Sequence, residues 1–502
     1  MTHGTYRNPV LNADWSDPDV VRVGDDFYLT ASSFGRAPGL PLLHSRDLVH
    51  WTLVGHALER LEPEDEFASP RHDRGVWAPS IRHHDDRFWI FWGDPDQGVF
   101  QVNAPEIRGP WTAPHLVKEG KGLIDPCPLW DDETGEAYLV HAWARSRAGA
   151  NNRLTGHRMH PDGTTLLDEG KVIVDGDRIP GWFTLEGPKL YRHDGWFWIL
   201  APAGGVETGW QGAFRSRGFF GPYEERIVLE QKDTDVNGPH QGGWVRTPAG
   251  EDWFLHFQQR GAYGRVVHLQ PMRWSEAGWP VIGDEGAPVA VHRRPDLPPQ
   301  PPAAPATDDD FPGGRYGRQW QWAANPQGGW ATQHSADGLR LTCVRSAGHR
   351  DLRELPNVLT QRLPGTPCLA EVGLRLDGTV PGARAGLAVL GDAFGWIGLE
   401  RVADGTVRLV HRFAEAAAVT ERDAEHPRPA TEGQARLRIE IGPGARCRFA
   451  ADTGDGFRPS GPVFTATPWR WVGALLGLFA VAPEGPGHAG AAAFTRFRVD
   501  PL

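Results

Sequence analysis

The stretch from Asp26 to Ser32, DFYLTAS, decides the fold because it is the first of five similar aromatic runs. The others are RFWIFWG from residue 87, EAYLVHAW from 136, WFWILAPA from 196 and DWFLHFQ from 252. Successive runs begin 61, 49, 60 and 56 residues apart. Each run has the length of a β-strand, and each is alternating or continuously apolar, with the aromatic and β-branched residues that strands favour.

The surrounding sequence repeats as well. Hairpin-like material follows each run, and four of the five repeats then reach an aromatic residue near a turn, in LVHWTLVG, IRGPWTAP, FFGPYEE and EAGWPVIG. Repeats of about 50–60 residues, each holding several short strands, are typical of β-propeller blades. Five repeats predict a five-bladed β-propeller, and a β-sandwich with fortuitous spacing is the alternative.

A proline-rich segment divides the chain. Residues 293–310, RRPDLPPQPPAAPATDDD, are rich in proline and alanine and indicate a semi-rigid linker. The predicted propeller occupies residues 1–292. Residues 311–502 contain short strand candidates such as LAEVGLRLDG, TVRLVHRF and QARLRIEIG, separated by Gly, Asp and Pro. The predicted fold class is therefore all-β: a propeller followed by a β-sandwich of the jelly-roll, concanavalin-like type.

Composition narrows the function. The chain has 502 residues and a net charge of −11 without a basic stripe, which argues against nucleic acid as a partner. Its 22 Trp fit stacking on flat apolar faces such as sugar rings. Four scattered cysteines without a CxxC motif predict neither a disulfide framework nor a zinc site. Without a signal-like segment or a long apolar run, we expect a cytoplasmic protein with no membrane partner. The oligomeric state stays open.

One short motif precedes each aromatic run by about ten residues. The five motifs are Asp17-Pro18, Trp77-Ala78-Pro79, Asp125-Pro126, Glu186-Gly187-Pro188 and His240-Gln241-Gly242. Equivalent positions of successive blades surround the central axis of a propeller. The sequence therefore predicts a cluster of three carboxyl groups, one Trp and one His at that axis.

This cluster suits glycoside hydrolysis, which needs a protonated acid beside the leaving oxygen and an ionised carboxylate on the opposite face of the sugar. Neighbouring like charges help to keep one carboxyl group protonated near neutral pH. Trp77 would stack on the sugar. Taken singly, an Asp-Pro turn or a buried His is more often structural, and a cluster of Asp, Glu and His can also bind a cation. The three carboxylates occupy equivalent positions in their repeats, and this favours the catalytic interpretation.

The ordered motifs resemble glycoside hydrolase family 43. The resemblance rests on NPVLNADWSDPDVVRVGDDFYLTASS, WAPSIRHHDDRFWIFW, LIDPCPLWDDETGEAYLVHAW, TLEGPKLYRHDGWFWILAPAGG and NGPHQGGWVRTPAGEDWFLHFQQRGAYGRVVHLQPMRW, which span nearly all of residues 6–290. DDFPGGRYGRQWQWAANP, from residue 309, is similar to the start of the β-sandwich appended to many β-xylosidase and α-L-arabinofuranosidase members. The resemblance implies a five-bladed propeller that hydrolyses glycosides with inversion.

The resemblance also implies roles for individual residues. Asp17 would be the general base that activates water, and Glu186 the general acid. Asp125 would orient Glu186 and raise its pKa. Arg265 matches an arginine that contacts sugar hydroxyls. His240 matches a histidine near a central ion or ordered water, often calcium, although this ion varies across the family.

Further substrate contacts are expected from aromatic residues. Phe34 and Trp77 would line the pocket in the propeller. The loop at residues 392–396, with Phe394, is a candidate for a sandwich loop at the pocket rim, where it would favour removal of single terminal sugars. The alternative is that the sandwich is only a stabilising partner of the propeller.

The expected function is an exo-acting β-xylosidase on xylan-derived oligosaccharides that requires no cofactor, with a structural Ca²⁺ or other cation possible at the propeller centre. The second choice is an α-L-arabinofuranosidase, or a bifunctional enzyme, acting on arabinose-decorated oligosaccharides. An alternative of another class is a carbohydrate-binding propeller without catalysis, and a protein-interaction propeller is less favoured still.

Overall fold

The computed structural model describes residues 4–332, 337–348, 350–418, 420–430 and 432–502, and these are almost entirely β-structure and turns. The described part has one short α-helix, Arg145–Ala148. Its 3₁₀ segments are Glu66–Ala68, Gly176–Arg178, Gly261–Tyr263, Pro312–Gly314 and Pro443–Ala445. No helix among these residues has the length and apolarity needed to cross a membrane. The predicted all-β class is confirmed.

Five four-stranded antiparallel sheets, each paired in chain order, form the propeller. Blade 1 is Asp19–Val23, Asp26–Thr30, Gly39–Ser45 and Thr52–Leu58; blade 2 is Trp77–His84, Arg87–Asp94, Gly98–Ala104 and His115–Glu119; blade 3 is Leu123–Asp131, Glu136–Trp143, Arg153–Met159 and Lys171–Asp175; blade 4 is Lys189–His193, Trp196–Ala203, Trp210–Ser216 and Glu224–Glu230; blade 5 is His240–Arg246, Asp252–Gln259, Arg265–Trp274 and Pro280–Ile282. Each aromatic run of the sequence is the second strand of its blade, so the predicted five-bladed propeller is confirmed.

The aromatic runs pack the spaces between blades. Five apolar clusters lie at the successive blade interfaces, and the last one joins blade 5 to blade 1. In that cluster Phe27 and Leu29 pack with Trp253 and Leu255. The ring is also tied by Thr5–Arg7, which pairs antiparallel with Val291–Arg293 after blade 5. Most of the tryptophan surplus is therefore packing between blades rather than sugar-binding surface.

Two sheets form the C-terminal β-sandwich, and their strands pair antiparallel except for Val344–Ser346, which pairs parallel with Leu475–Pro483. One sheet contains Gln321–Trp322, Val344–Ser346, Leu359–Arg362, Arg384–Leu390, Phe394–Arg401, Val407–Ala414, Arg422–Asp423, Arg428–Pro429 and Leu475–Pro483; the other contains Ala331–Thr332, Leu339–Thr342, Cys368–Leu376, Gln434–Gly442, Arg446–Asp452, Arg458–Thr465 and Ala491–Pro501. Strand Cys368–Leu376 alternates strictly between buried and half-buried residues, as a strand with one core face should. The predicted sandwich is confirmed.

The propeller and the sandwich are joined by directional hydrogen bonds. Trp322 and Ala37 exchange two backbone hydrogen bonds, at 2.7 and 3.2 Å. The buried Asn325 side chain accepts from the Leu61 N–H at 2.8 Å and donates to the Leu61 carbonyl at 2.9 Å. Residues 294–308, which lead from one domain to the other, contain no helix or strand.

Replacing Asn325 tests this junction. Asn325→Ala leaves the buried N–H and C=O of Leu61 without partners, which costs about 1–3 kcal/mol for each unsatisfied group. We expect a lower denaturation midpoint in a thermal or urea unfolding experiment. Gln327→Ala is the matched control, because Gln327 is an exposed residue of the same segment. Equal midpoints for the two variants would contradict the structural role of Asn325.

Candidate active site

The first strand of every blade enters the centre of the propeller through a residue with left-handed backbone geometry. The φ angles are 55° at Asp17, 38° at Ala78, 57° at Asp125, 58° at Gly187 and 39° at Gln241. First strands of blades 1 and 2, 2 and 3, 3 and 4, and 5 and 1 contact one another. A non-glycine residue in this region costs about 1–2 kcal/mol. Such strain, repeated at one phase, marks these turns as functional candidates.

Asp17 is held from both sides of its carboxylate. Arg265 Nη1 donates to Oδ1 at 2.7 Å, and Ser32 Oγ donates to Oδ2 at 2.6 Å. Ser32 Oγ in turn accepts from the Ala78 N–H at 2.7 Å, which links the centre of blade 1 to that of blade 2. Because the Asp17 and Arg265 side chains are both buried, the carboxylate is charge-balanced and rigidly oriented.

Asp125 is buried beside the other two carboxyl groups. Burial raises the pKa of Asp125 to about 8, and the nearby Glu186 and Asp17 carboxylates act in the same direction. The Gly187 N–H, which donates to Asp125 Oδ2 at 2.7 Å, and the Lys189 ammonium oppose the rise. The three predicted carboxyl groups thus meet within electrostatic range of one another.

Glu186 is the most open of the three. Its side chain is 27% exposed, whereas that of Asp17 is 8% exposed. The Glu186 N–H donates to the Pro202 carbonyl at 3.1 Å, and Glu186 Oε1 lies 3.1 Å from His240 Nε2. Depending on protonation, either the imidazole or the carboxyl group donates in this pair. A carboxyl group so placed can exchange a proton with a bound molecule.

His240 has no exposed surface, and its Nδ1 lacks a hydrogen-bond partner within the described ranges. The described part of the chain contains no group of three or more His, Cys, Asp or Glu arranged to hold a metal ion. Ca²⁺ takes six to eight oxygen ligands, which a single imidazole nitrogen does not supply. His240 therefore serves here as the partner of Glu186, and a central cation stays a prediction.

Aromatic residues of both domains stand beside the carboxyl groups. Trp77, which begins the first strand of blade 2, is half-buried. Its ring meets Phe34 edge-to-face at 6.2 Å and Trp471 of the sandwich at 5.9 Å. The Arg147 guanidinium lies 5.8 Å from the Trp77 ring centroid. Phe34 is buried and supports the edge of Trp77.

The predicted role of Phe394 is wrong, because its side chain has no exposed surface. The sheet that contains Phe394 is covered on both faces. On one face Ile397 packs in the core between the two sheets of the sandwich. On the other face Phe394 packs in a cluster that includes Phe34 of the propeller. The Arg353 guanidinium lies 5.3 Å from the Phe394 ring. Phe394, which the sequence placed on a loop at the pocket rim, thus lies in the interior of the fold.

The sandwich reaches the site through Trp471, which the sequence analysis missed. The Gly473 N–H donates to Asp14 Oδ2 at 3.1 Å, and the Ala474 N–H donates to the Ala262 carbonyl at 2.7 Å. These bonds hold the loop against the propeller. One of them is made to Asp14, which lies three residues before Asp17 in the chain. The signal in the sequence is the pair of tryptophans in WRWVG at 469–473.

The fold and the carboxyl cluster define a propeller hydrolase, and comparisons with known proteins agree. Residues 6–280 match the family described as Glycosyl hydrolases family 43, and residues 308–500 match the Beta xylosidase C-terminal Concanavalin A-like domain. The chain belongs to glycosyl hydrolase family 43. It is therefore a glycoside hydrolase, as predicted.

Several relatives are similar over most of their length. A Xylanibacter ruminicola protein whose name includes "beta-xylosidase" is 39% identical, over 79% of this chain and 73% of that protein. The "Non-reducing end alpha-L-arabinofuranosidase BoGH43B" of Bacteroides ovatus is 30% identical, over 78% and 75%. The crystal structure of the GH43 BlXynB protein from Bacillus licheniformis superposes with a TM-score of 0.84 at 25% identity, covering 99% of this chain and 100% of that one.

The raised pKa of Asp125 predicts how the stability of the fold depends on pH. An acid whose pKa is higher in the folded state than in the unfolded state stabilises the fold at pH values below its unfolded-state pKa. This stabilisation is lost as the pH rises through the folded-state pKa. For Asp125 the window runs from 3.8 to about 8. Asp125→Asn mimics the neutral form, so its melting temperature should rise relative to wild type across this window.

Melting curves from pH 4 to pH 9 provide the measurement. Asp132→Asn, in the exposed turn of the same blade, is the control and should track the wild type at every pH. A constant difference between Asp125→Asn and wild type would show that Asp125 does not hold a proton in this window.

Proposed function

We propose that the protein is an exo-acting, inverting glycosidase that releases terminal xylose from xylan-derived oligosaccharides. The observation that carries this proposal is the meeting of Asp17, Asp125 and Glu186 at one centre, each with a different environment. The names of the relatives support xylose as the sugar that is released. An inverting mechanism needs a base and an acid with different tasks, and Asp17 and Glu186 differ in partners and exposure.

Asp17 is proposed as the general base. Its two hydrogen bonds, from Arg265 and Ser32, occupy one lone pair on each oxygen. A carboxylate has about four acceptor positions, so capacity remains for a water proton. Because Arg265 and Ser32 orient the carboxylate, the water that it binds has a defined direction of attack on the anomeric carbon.

Glu186 is proposed as the general acid. The Asp125–Glu186 pair holds a proton on its buried member near neutral pH, because burial and the Glu186 carboxylate both raise the pKa of Asp125. Glu186 is the more accessible member and is hydrogen-bonded to His240, so it delivers the proton to the departing oxygen. Asp125 and His240 act on the substrate only through Glu186 and are positioning residues.

The aromatic wall suits a terminal sugar. Trp77 and Trp471 come from different domains and meet edge-to-face, and we infer that they bound the substrate pocket on the side facing the sandwich. Arg147 sits over Trp77 and is fixed by Asp73, whose carboxylate it contacts at 3.2 Å. A pocket bounded in this way favours removal of single sugars from a chain end.

A second candidate is release of terminal arabinofuranose. It is favoured by the similarity to the Bacteroides ovatus protein, whose name states that activity. A carbohydrate-binding protein without catalysis would have no use for three carboxyl groups in a strained, desolvated cluster. We therefore keep the catalytic interpretation.

Substitution of the two proposed catalytic groups separates their tasks. General acid–base groups contribute about 10²–10⁴-fold to rate, so Asp17→Asn and Glu186→Gln should each lose activity on xylobiose by that order. Glu186→Gln should recover most of its rate on dinitrophenyl xyloside, whose leaving group departs without protonation, and Asp17→Asn should not. Initial rates on the two substrates give the comparison.

Glu207→Gln, an exposed residue on the same blade, is the control and should behave as wild type. Equal losses of Asp17→Asn and Glu186→Gln on both substrates would refute the assignment of separate base and acid roles.

The stereochemical course tests the mechanism, and the same experiment tests the substrate. Proton NMR of nitrophenyl β-xyloside hydrolysis should show α-xylose as the first sugar product from the β-linked substrate, with mutarotation only later. Nitrophenyl arabinofuranoside, run in parallel, tests the second candidate. First formation of β-xylose would exclude direct attack by water, and no release from either substrate would overturn the proposed function.

A further inference from the structure

Exposed aromatic rings are rare in this protein. The chain has 22 Trp, 22 Phe and 7 Tyr, yet among those in the described ranges only Phe183 and Trp471 are largely exposed, at 52% and 36%. Trp471 belongs to the site described above. Phe183 lies three residues before Glu186 and has no role in that site.

The loop that carries Phe183 is firmly held. Buried Asn152 donates from Nδ2 to Asp177 Oδ1 at 2.7 Å and to the Trp182 carbonyl at 3.3 Å, and its Oδ1 accepts from the Leu185 N–H at 2.9 Å. The Phe183 carbonyl accepts from the Gly204 N–H at 2.7 Å. The exposure of the ring is therefore imposed by the backbone around it.

Phe183 borders a polar crevice of about 330 Å³ between the helix of blade 3 and this loop. Its side chains include Arg145, Asn151, Arg153, Asp177 and Thr184. Arg145 is exposed, and no hydrogen bond or ion pair of its guanidinium occurs within the described residues. The crevice thus combines an exposed ring, which meets the Trp210 ring edge-to-face at 5.9 Å, with unused donors, the combination that a sugar ring requires.

We propose that this crevice, the Phe183 crevice, binds the sugar on the leaving side of the scissile bond. The inference rests on the proposed function, because Glu186 is the group that protonates the departing oxygen. The leaving sugar must therefore pass beside Glu186, and Phe183 and the crevice it lines lie on the loop that leads into Glu186. Phe183 stacks on that sugar, and Arg145 and Asn151 bind its hydroxyl groups. The crevice makes the enzyme prefer oligosaccharides over simple glycosides.

The test compares substrates with and without a leaving sugar. On xylotriose, Phe183→Ala should lower kcat/KM by about threefold to tenfold, the factor that a lost aromatic contact of this kind represents. On β-xylosyl fluoride, whose leaving group cannot reach the crevice, kcat/KM should stay unchanged. Phe183→Tyr keeps the ring and should retain wild-type kinetics on both. Leu167→Ala is the control, since Leu167 is 56% exposed on blade 3.

Two results would overturn the proposal. Unchanged kinetics of Phe183→Ala on xylotriose would mean that the crevice does not bind the substrate. An equal loss on xylotriose and the fluoride would mean that Phe183 only supports the Glu186 loop.

Calorimetry separates this proposal from the proposed function. Xylotriose should bind more weakly to Glu186→Gln when Phe183→Ala is added. This measurement needs no turnover, so it tests the crevice even if wild type cleaves neither substrate, which would refute the proposed function alone. Equal affinities with and without Phe183→Ala would overturn the crevice.

Discussion

The structure depends on keeping three carboxyl groups together in a desolvated centre. Repulsion and burial both oppose this arrangement. It is stable because each group has a different compensation: Arg265 neutralises Asp17, the Gly187 N–H binds Asp125, and Glu186 stays partly in water beside His240. These differences of environment separate a base from an acid among similar side chains.

The same requirement links the two domains. The Asp14 carboxylate accepts from the N–H of Arg265, the residue that neutralises Asp17, and from the N–H of Gly473 in the sandwich. Arg362 of the sandwich donates to the Asp14 carbonyl at 2.6 Å. The sandwich is therefore part of the frame that orients the base, besides supplying Trp471.

Much of this could be predicted from sequence because a propeller repeats. The aromatic runs predicted the second strand of each blade. Asp17, Asp125 and Glu186 occupy equivalent positions in their repeats, which predicted that they meet at the axis. Contacts between the domains follow no repeat, so Trp471 was missed and Phe394 was placed at the pocket instead of in the interior. The exposure of Phe183 was equally hidden, because it depends on the distant anchor Asn152.

A crystal structure of the Glu186→Gln variant with xylobiose would show whether Asp17 and Glu186 face the scissile bond from opposite sides. We expect the non-reducing sugar between residues 17 and 186, a water on the Asp17 carboxylate facing the anomeric carbon, and the two side-chain termini about 6.5–9.5 Å apart. Xylobiose bound elsewhere, or Asp17 turned away from the anomeric carbon without room for a water, would contradict this arrangement.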